Sequence, residues 1–229
     1  MNNMFEIYIN HYDILTDRKQ YLQSVLKECV WVTEPSKDTL TEEIKKEWYL
    51  ESVNECDKKC LPFHYRNIFR KLKDSDIACS LGHIKSWELF VKTDKSYGIF
   101  FEDDIVLNCE NFEQKIENIL QNSPLDLDVL FIGGGFEHDY VTKTKSIVNE
   151  NFHLKYHPAT NCACSYVLTQ NAANKLLSVC KPFSLSIDFE LNYLFYLLNF
   201  NVYHYIPYFV EEGSKTGKYQ SSQIFRNQN

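Results

Sequence analysis

The chain has no excess of positive charge: 24 Lys and Arg stand against 31 Asp and Glu, a formal net charge of −7 over 229 residues. That balance excludes a dense basic face and argues against a nucleic-acid partner, so any anionic ligand has to be met by local cations. Long apolar runs are missing too. The stretch 191–200 is short and broken by Asn192 and Asn199, which excludes a transmembrane helix. The start of the chain lacks the basic region and extended apolar span of a secretory leader, and Met4–Ile9 reads as a strand, so a cytoplasmic location is expected. Eight cysteines are scattered, with Cys56/Cys60 one residue too wide and Cys162/Cys164 one too narrow for C-x-x-C. Reduced, buried thiols are expected, not a disulfide framework or a zinc knuckle. There is no internal repeat and no low-complexity tract.

What is present supports one packed domain over residues 1–229: hydrophobic residues make up 44% and aromatics 15%. Strand-like and helix-like segments alternate. After the strand to Asn10 comes a helix with Leu22, Val25 and Leu26 on one face; a charged insertion of about 34–65 follows, with a surface helix through Leu40, Ile44 and Trp48. Asp74 or Ser75 is the expected N-cap of an amphipathic helix through Ile77, Leu81, Ile84, Trp87 and Val91. Further on, the pattern predicts a helix at 111–121, strands at 129–132, 164–168 and 202–206, and helices at 170–179 (capped by Thr169) and 189–198. A polar, hairpin-like excursion occupies 136–157, and the tail 213–229 reads as mobile or as a lid. Such alternation predicts an α/β fold with a mainly parallel twisted sheet and helices on both faces, binding ligands at the carboxyl ends of its strands.

One such end stands out. The apolar strand Tyr97–Phe101 runs into Glu102, Asp103 and Asp104 before turning apolar again at Ile105. Three acids at the mouth of a buried strand repel one another and resist desolvation, so a cation is the natural compensation. Oxygen ligands without a paired His suit Mg(II) or Mn(II). Solvation of a strand end explains an acid triplet equally simply. Gly133–Gly135 could let backbone approach a ligand, but it lacks the G-x-G-x-x-G or P-loop context, and a tight turn explains it as well.

Several segments in one order resemble glycosyltransferase family 25. They are Ile7–Asn10 with Asp17-Arg18, the helix Ile77–Ile84, the strand ending in Glu102-Asp103-Asp104, Ser165–Leu168 with Ala172-Ala173, and Ile187-Asp188 before a helix. Gly82 stands before His83 where the family usually carries Ser. The resemblance implies a GT-A type nucleotide-sugar domain that moves a hexose, commonly galactose or glucose, from a UDP-sugar with inversion. The acceptor would be a glycan, a lipid-linked sugar or a protein, and a lipid-linked acceptor would bring peripheral membrane contact.

Within that reading Asp104 is the first candidate metal ligand. Asp103 is a second ligand or a contact to donor hydroxyls, and Glu102, on the opposite face of the strand, orients its neighbours or touches donor. Inversion needs a base opposite the leaving group; Asp188 is the candidate and Glu190 the reserve, with a helix cap the competing role for Asp188. His83 could contact the diphosphate, and Arg18 could hold phosphate or base; a structural histidine and an ion pair are the plain alternatives. Two other classes compete with the transferase: a metal-dependent phosphohydrolase, and a catalytically silent glycosyltransferase-like module that binds carbohydrate or protein.

Overall fold

Period-two alternation in the central strands decides the architecture. In β1 (Phe5–Asn10), Phe5, Ile7 and Ile9 point to one face and Tyr8 to the other, and all four are buried. The computed structural model describes residues 4–51, 70–134, 145–147, 151–155 and 162–219. After β1 come α1 (Thr16–Val25), β2 (Val30–Val32), α2 (Glu42–Trp48), α3 (Asp74–Phe90), β3 (Tyr97–Glu102), β4 (Ile105–Leu107), α4 (Phe112–Gln121) and β5 (Val129–Phe131). They are followed by β6 (Lys145–Ile147), β7 (Phe152–Lys155), β8 (Ser165–Thr169), α5 (Gln170–Leu177), α6 (Ile187–Leu197), β9 (Val202–Tyr205), β10 (Val210–Glu212) and the short α7 (Gly213–Thr216).

Eight strands form one sheet in the order β2-β1-β3-β8-β5-β9-β7-β6. On one face Tyr8, Phe100 and Tyr166 meet α3, α5 and α6. On the other, Ile7, Ile9, Ile99 and Phe101 meet Leu22 of α1 and Phe112 and Ile116 of α4. Helices therefore cover both faces, as the sequence pattern predicts. The expectation of a mainly parallel sheet holds for β2, β1 and β3 and for the β5/β9 pair; β8 runs antiparallel to both β3 and β5, and β7 and β6 are antiparallel as well, so the sheet is mixed. Parallel neighbours need a crossover, usually a helix. The polar excursion after β5 supplies the β6/β7 hairpin instead, and the chain re-enters the sheet reversed as β8.

Two details place the site. Helix α3 lies against β1 and β3 and also against α5 and α6, so it is buried around most of its circumference, not only along one stripe. Its N-cap is Lys73, one residue before the expected Asp74, and the Asp76 carboxylate accepts the Lys73 N–H at 3.0 Å. The helix approaches the end of β1 so closely that a Cβ at Gly82 would lie 2.1 Å from Asn10 Oδ1, which accounts for glycine before His83. At the carboxyl end of β3, β4 pairs with β10 in a separate two-stranded ribbon. The ribbon holds residues 213–219 against the acid triplet. Gly213 donates its N–H to the Asp104 carbonyl at 2.6 Å, and a Cβ there would meet that oxygen at 2.7 Å. Of the charged insertion, 34–51 is described and contains α2, capped by the Thr41 hydroxyl; 52–65 lies outside the described residues, as do Gly135 and the tail beyond 219.

Candidate active site

A cavity opens at the carboxyl ends of β1, β2 and β3, lined on one side by Asn10, His11, Arg18, Glu102, Asp103 and Asp104 and on another by Ala78 and Cys79 of α3. The acid triplet therefore faces a cavity at a strand end.

Its three members do different things. Asp103 is fully engaged: Oδ1 accepts Arg18 Nη1 at 2.6 Å, while Oδ2 pairs with His11 Nδ1 at 2.9 Å and accepts the Tyr12 N–H at 3.1 Å. Both Arg18 and His11 are buried, and Tyr219 lies over the guanidinium at 5.3 Å. Arg18 is thus a buried partner of a carboxylate at the cavity wall, not a surface ion pair. The ring of His11 is held by Asp103 through Nδ1, and its Nε2 is buried without a hydrogen-bond partner.

Asp104 is the opposite case. It is buried, and its Oδ1 accepts no hydrogen bond. Burial, then the neighbouring Glu102 charge, pushes its carboxyl up to about 7. Glu102, partly exposed at the cavity, is likewise pushed up to about 7 by burial and by Glu212 and Asp103. Its Oε1 lies 3.6 Å from Cys79 Sγ and 3.6 Å from His83 Nε2.

Asp188 comes from the other end of the chain into the same field. It occupies the first turn of α6 but makes no cap to its own helix; Oδ1 accepts the Ala163 N–H at 2.8 Å, tying α6 to the segment entering β8. Burial and then Glu102 push it to about 7, so it is neither a simple cap nor an ordinary surface acid. Glu190 is turned away: its Oε2 accepts the N–H groups of Ser184 and Leu185 at 3.2 and 2.9 Å, bracing the turn before α6.

His83 is buried, with Nδ1 2.8 Å from the Tyr166 hydroxyl, which also receives the Trp87 N–H at 2.9 Å. Burial pushes it down to about 4, so the ring is neutral at pH 7 and offers no positive charge to a diphosphate. Positive charge near these acids comes instead from Arg18 and from Lys215, the latter paired with Glu212 at 2.5 Å; burial lowers Lys215, but Cys162 and Glu212 outweigh it and raise it. Glu212 also lies 2.9 Å from Cys162 Sγ. Glu212, Lys215, His11 and Cys79 are the site residues that motif reading missed. No local motif marks the first two, because it is the ribbon that folds Glu212 back onto Ile105.

No helix among the described residues is long and apolar enough to cross a membrane. No curated protein matches the chain. A solved structure, the crystal structure of A197 from STIV, aligns with a TM-score of 0.41 at 13% identity, over 87% of this chain and 80% of that one. The family model for glycosyltransferase family 25, described as an LPS biosynthesis protein, matches residues 4–191 and so spans the cavity, the acid triplet, Asp188 and Glu190. The chain belongs to glycosyltransferase family 25.

Proposed function

We propose that the domain is a metal-dependent, inverting hexosyltransferase that moves galactose or glucose from a UDP-sugar to a hydroxyl of a glycan acceptor. The observation that carries this reading is that Glu102 and Asp104 line a cavity walled by Arg18 and His11 while Asp188, from a distant segment, feels the Glu102 charge, and that burial, then neighbouring carboxylates, pushes each of the three up to about 7. Such perturbed acids in a cleft suit catalysis better than stability.

Asp104 fits a hard divalent ion, because its buried Oδ1 has no partner and ions of this kind bind through one or two carboxylates plus substrate phosphate oxygens. Glu102, which lines the same cavity and whose charge acts on Asp104, is the second carboxylate of this reading. Asp103 does not fit as a ligand, since Arg18, His11 and the Tyr12 amide take both its oxygens; its role is to fix Arg18 and His11 at the donor pocket. A bound Mn(II) or Mg(II) supplies neutralising charge to the diphosphate as it departs. Asp188 keeps Oδ1 on the Ala163 amide and takes the acceptor hydroxyl proton on Oδ2. The acceptor oxygen bonds to the anomeric carbon as the carbon–oxygen bond to UDP breaks, and the electron pair leaves on the diphosphate.

The test is UDP release from UDP-galactose and UDP-glucose with Mn(II) and a glycan acceptor, repeated with Asp104→Asn and Asp188→Asn. Asp104→Asn is expected to weaken Mn(II)-dependent UDP binding, and Asp188→Asn to spare that binding while lowering turnover. Unchanged turnover in both variants, or phosphoester cleavage without sugar transfer, overturns the proposal.

A further inference from the structure

We propose a second metal centre, formed by Cys79, His83 and Glu102, that takes a borderline-soft divalent cation of the zinc class. Cys79 and His83 stand four residues apart and so share one face of α3, and that face meets the end of β3 at Glu102. The three donor atoms lie within 4.8 Å of one another.

Cys79 Sγ donates to Glu102 Oε1 at 3.6 Å and accepts from Asn10 Nδ2 at 3.7 Å, whereas the edge between His83 and Glu102 carries no hydrogen bond. His83 Nε2 is buried and without a hydrogen-bond partner, and its 3.6 Å separation from Glu102 Oε1 is too long for an N–H···O bond. Zinc bonds of about 2.3 Å to sulfur and about 2.0–2.1 Å to nitrogen and oxygen, set at tetrahedral angles, put ligand atoms roughly 3.3–3.6 Å apart. The Cys79–Glu102 edge of 3.6 Å matches the sulfur–oxygen value of that range, and the His83–Glu102 edge of 3.6 Å is about 0.3 Å longer than the nitrogen–oxygen value, a gap that a small shift of the Glu102 side chain closes. The outer shell matches as well: His83 Nδ1 is anchored on the Tyr166 hydroxyl, itself anchored by Trp87, which orients the ring with Nε2 toward Glu102.

The charges balance, with one thiolate, one carboxylate and a neutral imidazole around a dication; binding releases the Cys79 proton and, near neutral pH, the proton that Glu102 holds in part of the molecules. Three protein ligands leave a fourth position, and because Cys79 and Glu102 line the donor cavity, that position opens to water or to an anionic oxygen there. The other thiol cluster, Cys162, Cys164 and Glu212, is a poorer candidate, since Lys215 already neutralises its carboxylate.

The centre shares Glu102 with the hard-ion site of the transferase reading, but its own ligands are Cys79 and His83, and its test does not use turnover. Cobalt(II) is titrated into the full chain. A thiolate-to-cobalt charge-transfer band saturating at one equivalent is expected; it should vanish in Cys79→Ser, with folding checked by circular dichroism, and persist in Asp104→Asn and Cys162→Ser. On the unsubstituted chain, zinc should protect Cys79 from iodoacetamide, mapped by mass spectrometry. Absence of the band, a band lost in Cys162→Ser but kept in Cys79→Ser, or alkylation of Cys79 indifferent to zinc each overturns the proposal.

Discussion

Asp103 and Asp104 are neighbours in sequence, yet the first has every oxygen satisfied and the second has one left bare in the interior. Around Asp103 the protein has assembled an arginine, an imidazole and an amide, an arrangement that holds shape. Around Asp104, Glu102 and Asp188 it has gathered like charges in a buried setting and left Asp104 Oδ1 without a partner, which costs folding free energy and leaves groups ready to take a proton or a cation. Adjacent residues of one type thus divide scaffold from chemistry, and the division can be attacked from either side.

The largest effect is expected on the reactive side. Asp188→Asn should lower turnover by about 10²–10⁴-fold, the range for loss of a general base, with UDP affinity retained in calorimetry. Since Asp188 is held up to about 7, wild-type turnover should climb as pH rises through that value. On the scaffold side, Arg18→Met strips a buried carboxylate of its cation and should destabilise the fold by about 3 kcal/mol, read as a lower midpoint in urea. A midpoint within error of wild type would show that Asp103 does not depend on Arg18.

Stability against pH sharpens the contrast. A carboxyl whose folded value is raised keeps its proton in the native state, so its contribution is fully present below the ordinary carboxylate range and is lost as pH climbs through about 7. Glu102→Gln and Asp104→Asn should therefore match wild type near pH 4 and exceed it at pH 8 by about 1 kcal/mol, or about 2–4 °C in Tm. His83 has the opposite sign: held down to about 4, it withdraws stability as pH falls below about 6.5. The smallest effect belongs to Asp13, an exposed acid 3.8 Å from Lys19; Asp13→Asn should shift stability by less than about 0.5 kcal/mol.

Local signals carried much of this into the sequence. The acid-tipped β3, the Thr169 cap on α5 and the helical spacing of α3 each depend on neighbours within a few residues, and each is where the pattern predicts. The reversed β8 was not legible, because strand direction depends on how the chain returns and not on the strand's own residues. Nor could alternation separate Asp103 from Asp104, which sit in a turn beyond the last paired residue of β3. Lys215 and Glu212 were hidden for the same reason: they reach the acids only through the β4/β10 pairing, a contact between segments about a hundred residues apart.

Strand β9 lies between β5 and β7, yet Val202–Tyr205 falls past the last residue matched by the family model. Cutting the polypeptide at Leu191 would therefore bare the edge of β5, an invitation to aggregate by strand addition, and would also strip away the ribbon partner and the lysine that steady the carboxylates.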